Sequence, residues 1–559
     1  MNLGKQLSTF CLVTCLAALL AASESGGVLA RLYAQRERRD ISPRFLRAPS
    51  IAPNPNPRAP LAALVEFVTD RPVWAKLKVS DGAKSRLISF DGYWNRKQTL
   101  PILGLSPGKR YSILLAVTDT KGNCFTWQEK LEIATAPLPG DFPPLRVNTS
   151  IPDKMEPGIT LFNVARYGSP SYGLLAAVDE RGEVVWYFQA DYGISNVIQL
   201  RNGNLLYLHL AGATEIDWLG NIIQQWSPTA RGGSGRGDST LVNADTFHHD
   251  LCELPNGNFL ALSTELRRLT DYPSSESDPL APAQSANVVG DVVIEFTRDG
   301  RIANQWSLFD LLDPYRIGYG SLDGFWSSLY GAPADGTRDW THGNAVFQDS
   351  SEDSILLSLR HQDALVMFSR QTRALQWILG TPGGWNPPWS QYLLEPAGDL
   401  QWPYHQHASV VTPEGTILLF DNGNFRARPF EAPLSTVQSY SRVVEYRVDA
   451  ARRTVSQLWS YGGPGEDSFY TPFGGSVYRL PHTGNVLVTD GARITDDAGK
   501  PTENSPGSRR WARIIELTHT MPAEKVFELI VGDDSQASRL GWSVYRSRRL
   551  PSLYPAAQP

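Results

Sequence analysis

The sequence is poor in the features that would make a helical, metal-stapled or polyanion-binding protein. Four cysteines occur in 559 residues, and Cys11 and Cys15 fall in the N-terminal apolar run, leaving Cys124 and Cys252 far apart. No Cys-x-x-Cys pair or zinc spacing exists, so neither a disulfide framework nor a structural metal site is expected. Methionine is scarce, with 4 residues against 16 Trp, 21 Tyr and 21 Phe. Together with 47 Gly and 40 Pro, this balance favours short strands joined by turns over a helical bundle. Net charge is only -5 and no basic stripe appears, which leaves nucleic acid without an electrostatic footprint. A small-molecule partner is expected. No Gly-x-x-x-x-Gly-Lys-Ser/Thr loop occurs, and Gly232-Gly233-Ser234-Gly235-Arg236-Gly237 reads as a flexible loop rather than a phosphate cradle.

What is present divides the chain. Lys5 precedes an apolar run from Phe10 to Ala22 that is short for a spanning helix, so residues 1–30 read as a signal peptide or N-terminal anchor. Against export, Arg31, Arg36, Arg38 and Arg39 follow, a flank that resists translocation or favours an inverted anchor. The expectation is an exported protein, periplasmic or extracellular, whose one membrane contact would be that anchor. Residues 31–60, with Ile51-Ala52-Pro53-Asn54-Pro55-Asn56-Pro57, read as a Pro-rich linker. Residues 61–136 show short alternating segments with turn punctuation and read as a small fibronectin III-like β-sandwich.

From residue 150 to 559 the sequence repeats itself. A strand, a Pro/Asn/Gly turn and a second apolar strand recur at Leu200–Leu206, Leu254–Leu260, Thr412–Leu418 and Leu480–Val486. A third strand follows, then a polar turn and an aromatic residue, as in Asp217 to Trp226, Glu295 to Trp306 and Glu445 to Trp459. With Asp179 to Trp186, Met367 to Trp377 and Glu516 to Phe527 there are six copies. The chain is therefore read as all-β, with six antiparallel sheets packed around an axis as a six-bladed β-propeller. The first copy lacks an inner strand, and the stretch near Trp542 to Tyr554 is expected to supply it.

The repeat also supplies a register. Eight residues before the turn glycine Gly257 stands His249, and eight before Gly415 stands His407. The intervening blade begins its inner strand with His342, and Arg360 lies on the strand that follows. Inner strands face the axis, so these side chains are expected to converge on the channel. Three imidazoles and a guanidinium without a carboxylate suit a tetrahedral oxyanion. A zinc site and ordinary core histidines are the competing readings, and the adjacent arginine argues against a dication. His248, adjacent to His249 on a strand, should point to the opposite face. His405 would line the entrance, whereas His209, His361, His482 and His519 read as structural or solvent-facing.

His249-Asp250 before a Pro-Asn-Gly turn, Thr341-His342-Gly343-Asn344, Ser358-Leu359-Arg360, Gln406-His407-Ala408 and Phe420-Asp421-Asn422-Gly423 resemble the arylsulfotransferase family. That resemblance implies transfer of a sulfuryl group from an aryl sulfate to a phenolic acceptor, with no nucleotide sulfate donor and no cofactor. It implies His407 as nucleophile, forming a sulfohistidine, and places the sulfuryl group against His249, His342 and Arg360, with Asn344 as a supporting donor. One departure is that some bacterial members carry a disulfide near the active site, and no cysteine pair is available here. An aryl sulfate hydrolase using the same site and a non-catalytic binding propeller are the alternatives.

Overall fold

The computed structural model describes residues 42–167, 169–231, 239–465, 468–532 and 541–554. The expected signal or anchor and the Gly232–Gly237 loop lie outside the described residues. Among these residues there is no α-helix, only strands and short 3-10 turns. They form two compact units that divide between Gly140 and Asp141.

The first unit is a network of seven strands organised by Ala63–Ser80, an 18-residue strand whose residues alternate between core and surface. Its first half pairs with Phe45–Pro53 and Asn95–Ile102, its second half with Ser85–Ser89 and Arg110–Asp119. The reading of residues 31–60 as linker is corrected here, because Phe45–Pro53 is a strand. Proline is tolerated because this strand is hydrogen-bonded on one side only, and Pro49 falls in the register slip between Arg47 and Ser50.

The second unit is the six-bladed propeller. Each blade is built on an antiparallel sheet, to which blades 2, 3 and 5 add a short parallel strand, and the inner strands of blades 2 to 6 are Ile194–Gln199, His248–Glu253, Gly343–Asp349, His407–Val411 and Ser476–Arg479. The first hairpin turns need glycine, as Gly203, Gly257, Gly415 and Gly484 have φ of 87°, 86°, 74° and 69°. Blade 1 has no inner strand of its own. Trp542–Ser543 and Ser547–Leu550 pair with Ile159–Arg166 and fill that place. The closure is double, because Leu145–Ser150 adds an outermost strand to blade 6, starting ahead of residue 150.

The repeated acid and aromatic have a shared task between blades. The indole N–H of Trp186, Trp226, Trp306 and Trp459 donates to a turn carbonyl of the next blade, on Trp218, Arg298, Arg370 and Thr520 respectively, at 2.8 to 3.2 Å. Buried acids on the third strands are satisfied twice. Turn asparagines donate to them, Asn202 and Asn204 to Glu215 and Asn256 and Asn258 to Glu295. A basic residue then arrives from the following blade: Arg298 on Glu215, Arg370 on Glu295, His519 on Glu445 and Arg549 on Glu516. A buried carboxylate is tolerated only with such partners, so the pattern read as a repeat signature is the cement of the ring.

Candidate active site

Three successive inner strands carry the same irregularity. The pairing register slips between His248 and Leu251, between Gly343 and Ala345, and between His407 and Val410. Left-handed backbone accompanies the slips, with φ of 55° at His249, 47° at His342 and 54° at Ala408. Such strain persists where surrounding structure over-determines it, and bulges re-aim side chains. The histidines consequently gather. The rings of His249 and His342 are 4.8 Å apart, His342 and His361 4.7 Å, and His361 and His405 5.8 Å. Tyr545 stands 6.1 Å from His249 and 6.2 Å from His407.

The slip at His249 corrects the reading of His248. Regular alternation would send it to the opposite face, but His248 Nδ1 lies 2.8 Å from His249 Nδ1, and its Nε2 faces Ser263 O at 3.1 Å and Asp291 Oδ1 at 3.2 Å. His361 and His405 also belong to the cluster. His209, by contrast, is a buried blade 2 residue bonded to Thr214 at 3.0 Å, and burial holds it down to about 4.

His407 is held by its neighbours in one tautomer. Its Nδ1 faces two acceptors, Asn422 Oδ1 at 2.7 Å and His405 O at 3.2 Å. The Asn422 amide has no freedom to turn, since its Nδ2 donates to Thr471 O at 2.8 Å and to Gly474 O at 2.9 Å. The proton therefore sits on Nδ1. Nε2 keeps its lone pair and accepts only a 3.3 Å contact from the Gly474 N–H. Burial, reinforced by Arg360, holds the ring well below the ordinary imidazole range, so it is a neutral nitrogen base.

Arg360 follows the second strand of blade 4. Its backbone N–H donates to His342 O at 3.3 Å, Nη1 donates to His361 Nε2 at 2.6 Å, and Nη2 reaches Pro472 O at 3.4 Å. Among the described residues its buried Nε has no hydrogen-bond partner, so the fork has a donor to spare. Asn344 Nδ2 donates to Gln406 O at 2.8 Å and ties the His342 strand to the His407 strand. A second cation, Arg546, arrives on the closing C-terminal segment, donates to Asn344 O at 2.8 Å and lies 3.4 Å from Asp250. Burial also holds His249 and His342 well below the ordinary imidazole range, leaving the two guanidiniums as the site's fixed positive charge.

The expectation of a site without carboxylates is corrected. Asp291, Asp339 and Asp363 stand behind His248, His342 and His405 respectively. Burial raises Asp363 to about 7 and Asp339 to about 6, while the hydrogen bonds from His248, Thr341 and Gly343 keep Asp291 low despite its burial. Asp339 escapes a repeat-based reading because it lies on the long insertion between blades 3 and 4, and Arg546 because it lies beyond the last repeat. Asn422 had a signal, as it sits in a motif already singled out, but its partner across the hairpin is visible only in space.

Asp339, His342 and His361 offer ligand atoms within 4.8 Å of one another, the grouping a metal ion would need among the described residues. Their nitrogens are engaged otherwise. His342 Nδ1 meets the Asp339 carboxyl, His361 Nδ1 donates to Asp339 O at 2.7 Å, and His361 Nε2 accepts from Arg360. This is a hydrogen-bonded network with a guanidinium inside it, a donor set suited to an oxyanion.

Residues 146–539 match the family model for arylsulfotransferases. An arylsulfate sulfotransferase of Escherichia coli is 28% identical over 300 residues, covering 46% of this chain and 47% of that protein. One from Lelliottia amnigena is 29% identical over 257 residues, covering 39% and 42%. The match thus spans about half or less of the length of these relatives. Among solved structures, a luciferin-regenerating enzyme aligns over 70% of this chain and 95% of its own, with a TM-score of 0.30 and 9% identity.

Proposed function

This chain belongs to the arylsulfotransferase family, and from that premise we propose that it moves a sulfuryl group from an aryl sulfate to a phenolic acceptor through a sulfohistidine on His407, without a nucleotide donor. The observation that carries the reading is the fixed tautomer of His407, whose Nδ1 is committed to Asn422 while Nε2 holds a lone pair beside a buried guanidinium.

In the first half-reaction His407 Nε2 forms a bond to sulfur as the bond from sulfur to the aryl oxygen breaks. The electron pair leaves on the phenolate, which takes a proton from a neighbouring imidazole. His407 then carries sulfuryl on Nε2 and a proton on Nδ1, and Asn422 Oδ1 accepts the more acidic N–H. The Arg360 fork, with His249 and His342, holds the sulfuryl oxygens as the bonds exchange. In the second half-reaction a phenol oxygen takes the sulfuryl group, loses its proton, and returns the electron pair to His407. Asn344 serves by joining the two inner strands that carry these residues. The proposal also places the mature protein outside the cytoplasmic membrane, on the strength of the reading of residues 1–30.

Mixing the protein with a chromogenic aryl sulfate and no acceptor should release a burst of about one phenol per site, followed by slow hydrolysis. An alkaline quench and peptide mass analysis should place the added sulfuryl mass on His407. Turnover indifferent to added phenol would make the protein a hydrolase, and no release from any donor would make it a binding propeller.

A further inference from the structure

We infer that Asp339 and His342 form a proton-shuttling pair, which hands one proton to the departing aryl oxygen and recovers one from the incoming phenol. The inference rests on the sulfuryl-transfer reading above and names the source of the proton that reading requires.

The geometry sets this carboxyl apart from the other two. Asp339 is 1% exposed and its two oxygens face different partners. Oδ1 accepts from Trp326 Nε1 at 2.9 Å, whereas Oδ2 meets His342 Nδ1 and has only His361 Nδ1 further off, at 3.7 Å. No donor of fixed sense occupies Oδ2, so it is free to carry a hydrogen. The alternatives differ in kind: each has an oxygen tied to a backbone N–H of fixed sense, which in Asp363 is the oxygen that meets the imidazole, and Asp291 is held low. Asp291 Oδ2 takes the N–H of Gly343 at 2.6 Å as well as the Thr341 hydroxyl. Asp363 Oδ1 accepts the backbone N–H of His405 at 2.8 Å along with that residue's Nδ1 at 2.9 Å.

The surroundings set the direction of proton transfer. Asp291 and Tyr272 face Asp339 from the blade 3 hairpin, Asp323 from the insertion, and His342, Arg360 and His361 from blade 4. Burial raises the Asp339 carboxyl to about 6 and lowers His342, so in the protonated pair, populated as pH falls toward 6, the shared proton rests on oxygen. His342 then accepts at Nδ1 and bears its own hydrogen on Nε2. As the aryl oxygen departs, the Nε2 proton moves to it and the Asp339 proton moves to Nδ1. That leaves a carboxylate facing the Trp326 N–H and the charge of Arg360, with His342 still neutral. The acceptor phenol then gives its proton to Nε2, the Nδ1 proton returns to Asp339, and sulfur passes from nitrogen to oxygen. No proton is gained or lost over the cycle.

The test is a series of aryl sulfates with phenols of increasing basicity, run as single bursts on the full protein and on Asp339→Asn. A weakly basic phenolate such as 4-nitrophenolate needs little help in leaving, whereas a basic one needs the proton. In Asp339→Asn, release from the most basic phenol should fall on the order of 10²-fold, and release from 4-nitrophenyl sulfate by a markedly smaller factor, steepening the dependence on leaving-group basicity. A uniform loss across the series, or none, overturns the proposal. Should the variant not fold, the wild type decides: a solvent deuterium isotope effect on the burst with the basic leaving group that vanishes for 4-nitrophenyl sulfate supports the pair, and its absence throughout overturns it. Failure of the wild type to release phenol from any donor would instead count against sulfuryl transfer itself.

Discussion

Two imidazoles of this channel stand on different supports. His407 rests on the amide of Asn422, His342 on the carboxyl of Asp339. An amide oxygen fixes a tautomer but neither gives nor takes a proton, so the ring above it stays a lone-pair donor. A carboxyl fixes a ring equally well and can also exchange a hydrogen with it. In the proposed reaction, then, the partner beneath a histidine, rather than the histidine, divides attack on sulfur from proton transfer.

The comparison breaks most completely at the nucleophile. His407→Asn should abolish the phenol burst and turnover while the melting temperature stays near that of the wild type, and wild-type-like bursts in this variant would remove His407 from its role. Next in size, Arg360→Ala should lose on the order of 10²- to 10³-fold in phenol release, the loss typical of a preorganised oxyanion donor. Arg360→Lys should lose nearly as much, because an ammonium cannot reproduce the fork.

Exchanging the supports sharpens the contrast. In Asn422→Asp a carboxylate would sit against Nδ1 of His407 and favour the imidazolium. The wild-type ring is held low and stays neutral on acidification through the ordinary imidazole range. The variant's value is raised, so the neutral nucleophile is lost as pH falls through a higher pH. The acid limb of the rate against pH should therefore move upward, with activity recovering as pH rises. An unmoved limb would show that the support does not govern the charge on His407. The smallest effect is expected from His248→Asn, which removes a partner of His249 without touching Arg360 or His407, and a loss within about tenfold in kcat/KM is anticipated for this supporting hydrogen bond.

The propeller was largely legible because its cues are local and recur. Glycine at Gly203, Gly257 and Gly415 marks the first hairpin, tryptophan at Trp226, Trp306 and Trp459 marks the fourth strand, and counting back from the glycine reaches His249 and His407. What stayed hidden either breaks the repeat or interrupts a strand. Asp339 lies in an insertion and Arg546 in the closing segment, where no register applies. His248 was misassigned because alternation presumes a regular strand, and the left-handed backbone at His249 interrupts it. Phe45–Pro53 was read as linker because its prolines exclude a strand interior, although they do not exclude an edge.

The order in which the ring is sewn shut has a consequence in time. Blade 1 waits for Trp542–Leu550, and the same segment brings Tyr545 to the histidines and Arg546 to Asp250. During synthesis these residues follow every blade they complete. A nascent chain stopped before Trp542 therefore presents an open ring with an exposed inner edge, and Asp250 lacks its cation. For the proposed reaction, the site is completed in a single late step rather than blade by blade, when this segment docks.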